Sequence, residues 1–213
     1  MKEKFQTHSL FNRVFQLIVL SLLVKILGFM REIFMAYYYG TTITVDVFVA
    51  ALNIPSIIFA LFGTAITTSF LPLYAEINEK NGEKAALKYT NNILNVFLLI
   101  SGVTTVLGVI YSDILVKIFV GGFVGEAFEM CSTFVKIIMV TIMMTVIQYI
   151  YNGYLQTQGM FNQQSIMNIP YSIILIGAIV ASYYRKNFYL LAIGALLASF
   201  SQLIYLKLLI SKT

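Results

Sequence analysis

Long apolar runs separated by short polar clusters make up nearly the whole chain. Six runs, at about 14–38, 44–74, 93–110, 131–151, 166–183 and 189–209, are candidate membrane helices. A helix needs roughly 20 apolar residues to cross a bilayer. The second run exceeds that length, so the sequence predicts a bend or an extension past the interface. Pro55 removes a backbone donor inside it and Pro72 marks its far end. Between them, Gly63, Thr64, Thr67, Thr68 and Ser69 are small or hydroxylic residues suited to close helix contacts. The polar segment 76–90 carries Lys80, Lys84 and Lys88 at helical spacing and reads as a short amphipathic cytoplasmic helix on the membrane surface. Residues 113–126, with their glycines, read as an interfacial loop, and residues 154–164 as an uncharged polar one. The predicted fold is all-α. It is a polytopic membrane bundle of about six transmembrane helices over residues 14–213, preceded by a cytoplasmic tail at 1–13.

Composition supports this class. Hydrophobic residues make up 59% of the chain and charged residues 11%, against about 25% charged in a soluble domain. The net charge of +5 comes from lysines flanking apolar runs, so it reads as a topology signal and not as a nucleic-acid surface. Cys131 and His8 are the sole cysteine and histidine, which leaves no internal disulfide and no cysteine metal site. Neither a metal nor a cofactor is expected. Lys2, Lys4 and Arg13 precede the first run as in a signal peptide, but no small-residue cleavage site follows, so an uncleaved helix is expected. A cytoplasmic N-terminus puts Lys2, Lys4, Arg13, Lys80, Lys84, Lys88, Lys207 and Lys212 inside. Only Lys117, Arg185 and Lys186 then lie outside, which predicts that both termini are cytoplasmic. Tyr37, Tyr38, Tyr39, Tyr183 and Tyr184 would form an outer interfacial belt.

Charges inside the spans carry the functional signal. An ionised side chain at the centre of a membrane helix costs roughly 3 kcal/mol on insertion scales, so it marks a cavity or a partner charge. Lys25, Gly28 and Glu32 share one face of the first helix, with Lys25 and Glu32 about 10 Å apart at 1.5 Å per residue. That gap leaves room for water or a ligand group. Arg31 lies on another flank, and Asp46, one short loop away, is its expected partner. A structural account competes: Arg31 and Asp46 could simply lock two helices while Lys25 snorkels. Lys136, just inside the fourth helix, is expected to snorkel. No histidine, cysteine pair, carboxylate pair or phosphate loop points to an enzyme.

The run from Leu27 to Glu76 resembles the start of the MurJ/MviN-type lipid II flippases of the MOP exporter superfamily. The resemblance is carried by Gly28, Phe29, Arg31, Glu32, Gly40, Asp46, Phe48, Pro55, Gly63, Ser69, Phe70 and Pro72. Gly122–Glu126 and Gly153–Phe161 resemble later loops of the family. The resemblance implies a carrier that moves an undecaprenyl-pyrophosphate-linked sugar lipid from the inner to the outer leaflet by alternating access. It implies a cationic cavity with Lys25, Arg31, Glu32 and Asp46 as substrate-binding positions, and Gly28, Gly40, Pro55, Gly63 and Pro72 as conformational or helix-packing positions. It also implies a bacterial cytoplasmic membrane and a role in peptidoglycan biosynthesis. Where many members have an arginine pair and a glutamate, this chain has Phe59, Ala60 and Thr64, so its cavity is less charged.

The family has two six-helix lobes, and this sequence matches one N-terminal lobe of such a MOP-type flippase. The other half of the cavity is expected from further sequence or a second subunit. The coupling agent, a cation or the membrane potential, is left open. Two alternatives remain at this stage: a capsule- or O-antigen-type polysaccharide-repeat flippase, and a non-transporting truncated scaffold.

Overall fold

The structure is a computed structural model that describes residues 2–211, with side chains from residue 15 onward apart from Phe62 and Thr67. Nine helices account for these residues: α1 Lys2–Tyr39, α2 Ile43–Asn81, α3 Glu83–Ile110, α4 Ser112–Phe119, α5 Glu126–Ile138, α6 Thr141–Thr157, α7 Gln163–Ile166, α8 Asn168–Arg185 and α9 Tyr189–Ile210. Among the described residues there is no strand.

Five stretches are long and apolar enough to cross a membrane: 43–61, 83–110, 126–157, 163–185 and 189–210. The third consists of α5 and α6, which run on through a short break at Met139–Val140. Helix α1 is the sixth long helix. Its 38 residues include Lys25, Arg31 and Glu32.

The structure revises the expected boundaries in two places. The amphipathic helix expected at 76–90 does not exist as a separate element. Its first half is the end of α2 and its second half the start of α3, divided only at Gly82, which adopts φ 82° and ψ 169°. That conformation is open to glycine and closed to most other residues. The loop expected at 113–126 begins as helix α4, and only the Gly121–Gly125 segment is turn.

Small residues set a close helix contact. Helices α8 and α9 lie along each other, and a Cβ built on Gly194 would fall 2.1 Å from the Cβ of Ala178. Only a residue without a side chain permits that approach. Helix α1 packs along α8 and barely touches α2, whereas α2 packs against α5 and α6. The main core gathers Ile54, Phe134, Ile138, Ile142, Leu175 and Leu191, all essentially inaccessible. By contrast Phe29, Leu99 and Ile110 point outward and are about two-thirds exposed, as bilayer-facing side chains would be.

Candidate functional site

The helices converge on a cavity of about 700 Å³. Helix α1 supplies Arg31, α2 supplies Pro55, Ser56, Phe59 and Thr64, and the opposite wall comes from α6 to α9. That wall is polar but uncharged: Thr141, Thr145 and Gln148 from α6, Gln164 and Asn168 near α7, Tyr171 from α8, and Ser199 and Gln202 from α9. Thr141, Thr145 and Gln148 recur at spacings of four and three, so one face of α6 presents them together. Arg31 is the one charged side chain among the described lining residues.

The amide wall is internally braced. Gln202 donates from Nε2 to Asn168 Oδ1 at 2.9 Å, and Asn168 donates from Nδ2 to the Gln164 carbonyl at 2.9 Å. Gln148 donates from Nε2 to the carbonyl of Ser199 at 3.2 Å. These bonds hold the amides in place along the cavity lining. Pro55 leaves the carbonyl of Ala51 without its helical donor. One residue on, Ser56 donates to the carbonyl of Asn53 at 2.8 Å.

Arg31 does not meet Asp46. Its Nη2 lies 2.6 Å and its Nε 3.2 Å from the same oxygen, Oε1, of Glu32. The reason is height and packing. Arg31 stands eight residues before the end of α1, about 12 Å from the turn, whereas Asp46 lies only about 4.5 Å beyond the start of α2. Asp46 lines a different cavity of about 390 Å³, with Asn53, Phe119 and Phe123.

The other expected residues scatter. Lys25 is exposed and lies in a surface recess of α1 beside Leu17, Ser21 and Leu22, away from the cavity of Arg31. Glu32 is reached only as the partner of Arg31, and its side chain is 59% exposed. Pro55 and Gly63 line the cavity, and the Phe59 ring occupies the space a Gly63 Cβ would take, at 2.5 Å. Gly40, at φ 57°, closes the turn between α1 and α2. Gly28 has open space where a side chain would go, and Pro72 is exposed within α2. Lys136 lies 4.0 Å from Asp113, a loose pair between two exposed side chains. The Asp113 carboxylate also accepts from Ser132. Sequence reasoning overlooked the neutral wall, although Gln148 and Gln202 inside apolar runs were a visible signal.

The fold is a helical membrane bundle with a cavity between its helices, an architecture that many membrane carriers share. The family model for the lipid II flippase MurJ matches residues 35–213, and the chain belongs to that family. A relative from Buchnera aphidicola subsp. Baizongia pistaciae, described as a probable lipid II flippase MurJ, is 23% identical over 92% of this chain and 39% of its own length. A relative of the same description from Aquifex aeolicus is 25% identical over 86% of this chain and 36% of its own. The solved structure of a lipid II flippase MurJ in an inward closed conformation superposes with a TM-score of 0.74 at 21% identity. It covers 90% of this chain and 41% of that one, and shows the same fold. The chain thus spans about two-fifths of the length of these relatives.

Proposed function

We propose that this chain is one lobe of a lipid II flippase, a carrier that moves an undecaprenyl-pyrophosphate-linked sugar from the inner to the outer leaflet by alternating access. The observation that carries this reading is the cavity of about 700 Å³, in which one guanidinium faces a wall of amides and hydroxyls. A guanidinium offers planar, paired donors to a pyrophosphate oxygen, and its charge strengthens those bonds. Amides and hydroxyls suit the hydroxyl groups of a sugar, since each can donate or accept. Glu32 holds the guanidinium until an anionic cargo competes for it. The cavity is open on one side, and a second lobe, from further chain or a second subunit, closes it. Lys25 and Asp46 lie outside the cavity of this lobe and serve the cargo only where that second lobe brings them to it. The protein resides in the bacterial cytoplasmic membrane with both termini in the cytoplasm.

The test is transport of fluorescent lipid II across proteoliposomes by the protein in its native length. Arg31→Gln removes the charge and abolishes transport, while the same variant still inserts and folds. Transport that survives Arg31→Gln unchanged rules the mechanism out. Failure to transport lipid II, combined with transport of a capsule precursor, reassigns the cargo within the same carrier class.

A further inference from the structure

A second cavity, of about 600 Å³ and lined largely by aromatic rings, lies at the end of the bundle where α1 turns into α2 and α8 into α9. Its walls are Tyr38, Tyr39, Thr42, Thr44, Tyr183, Tyr184, Lys186 and Phe188. These positions fall at the ends of apolar spans, because spans begin at Ile43 and Tyr189 and one ends at Arg185. The cavity therefore sits at the level where a bilayer changes from acyl chains to headgroups.

An ordinary aromatic belt turns its rings outward to lipid. Here the rings also pack on one another to line an open recess, at whose rim Tyr183 and Tyr184 are 46% and 72% exposed. Tyr38 lies 4.9 Å from Tyr183 and 6.1 Å from Tyr184, and Tyr39 lies 6.0 Å from Tyr183 and 6.1 Å from Phe188, centroid to centroid. The walls are pinned. The Tyr39 hydroxyl and Ser182 Oγ share a hydrogen bond of 2.6 Å, and Ser182 Oγ also donates to the carbonyl of Asn187 at 3.0 Å.

Three wall residues, Thr42, Thr44 and Lys186, keep unused polar capacity. Thr44 is only 6% exposed and lines the cavity, and its hydroxyl makes no hydrogen bond among the described residues. Thr42 is the N-cap of α2, and its side chain makes no capping bond. The start of α2 beside the cavity therefore has no side-chain cap, at the helix end that favours anions, and only the Val45 N–H is taken up, by the Thr42 carbonyl at 3.0 Å. Among the described residues Lys186 makes no ion pair. It holds the left-handed conformation, φ 51°, that ends α8, so its place on the wall is set by the turn itself. A threonine hydroxyl at the wall, a helix N-terminus without a side-chain cap, an ammonium outside any ion pair and tyrosine rings at the interface share one complement. That complement is a phosphate carrying a small organic group.

We propose that this cavity binds the headgroup of an anionic phospholipid. The phosphate would sit between Lys186, the Thr44 hydroxyl and the start of α2, with the glycerol portion against the tyrosine rings. The membrane is the source, since the cavity opens at headgroup level and its aromatic wall suits a group continuous with acyl chains. The inference is independent of what the central cavity carries.

The test is native mass spectrometry of the chain released from nanodiscs containing equal phosphatidylglycerol and phosphatidylcholine. One phosphatidylglycerol is retained per chain in preference to phosphatidylcholine. The variants Thr44→Val and Lys186→Asn each reduce retention by about tenfold, the loss of roughly one charge-assisted bond. Asparagine tolerates the left-handed conformation, so Lys186→Asn spares the turn. Lys186→Arg keeps the charge and retains the lipid. Equal retention of both lipids, or full retention by the two neutralised variants, overturns the proposal. Displacement by millimolar inorganic phosphate shows a free-anion site and overturns the assignment to lipid.

Discussion

Arg31 and Glu32 are neighbours in sequence, and the guanidinium of one rests on a single carboxylate oxygen of the other, at 2.6 Å from Nη2 and 3.2 Å from Nε. The pair sits at the edge of the central cavity, with Arg31 28% and Glu32 59% exposed at the side chain. A pair this open to water contributes little to stability. Its consequence lies in what the guanidinium is free to bind.

Glu32→Gln therefore leaves stability nearly unchanged and strengthens anion binding. In the reconstituted chain, inorganic pyrophosphate binds about tenfold more tightly to Glu32→Gln, because a competing carboxylate is gone. Arg31→Gln loses the binding. Isothermal titration calorimetry in nanodiscs reads both, and unchanged affinity in Glu32→Gln would show that the carboxylate does not compete.

Cys131 offers a built-in probe of unfolding, since it is the only cysteine and is fully buried. Its alkylation rate should stay low until the bundle opens. By this readout, Gly194→Ala destabilises the chain by about 1–3 kcal/mol, because the added methyl meets Ala178 Cβ at 2.1 Å and neither can rotate away. Gly28→Ala, with nothing within 4 Å, is neutral or stabilising by up to about 1 kcal/mol from helix propensity. Equal effects from the two substitutions would contradict this packing.

Gln202→Leu removes the donor to Asn168 Oδ1 on the cavity wall. Cavity water can reach the orphaned oxygen, so the cost is about 1 kcal/mol, at the low end for such a loss. The thermal midpoint of Cys131 alkylation checks it. A variant more stable than the parent would show that this bond does not brace the wall.

Gly82→Ala forces a side chain into φ 82°, ψ 169°, at a cost of about 1–3 kcal/mol. The strain falls on the junction of α2 and α3. Amide hydrogen exchange should accelerate over residues 76–90 and stay unchanged in α8 and α9. Uniform acceleration would mean that the junction is coupled to the whole bundle.

The sequence by itself determined the class of this protein and much of its outline. Uninterrupted apolar runs leave helices as the only way to satisfy the backbone in lipid, so the all-α membrane bundle follows from hydropathy alone. The motif from Leu27 to Glu76 pointed to the family, the turn at Gly40 lay between the first two runs, and Arg31 stood out as a charge in an apolar helix. Boundaries were less legible. Segment 76–90 has an amphipathic pattern, but α2 and α3 simply run on through it and change only at Gly82.

Only the tertiary structure decided which residues meet. Periodicity places a residue on a face of its own helix and leaves open which neighbour that face touches. Because α1 packs along α8, Arg31 looks across to Tyr171 and the amides of α6 to α9, while Asp46 lines a separate cavity and Lys25 remains in an outer recess. The uncharged wall of Thr145, Gln148, Asn168 and Gln202 comes from helices distant in sequence, so it exists only once they pack.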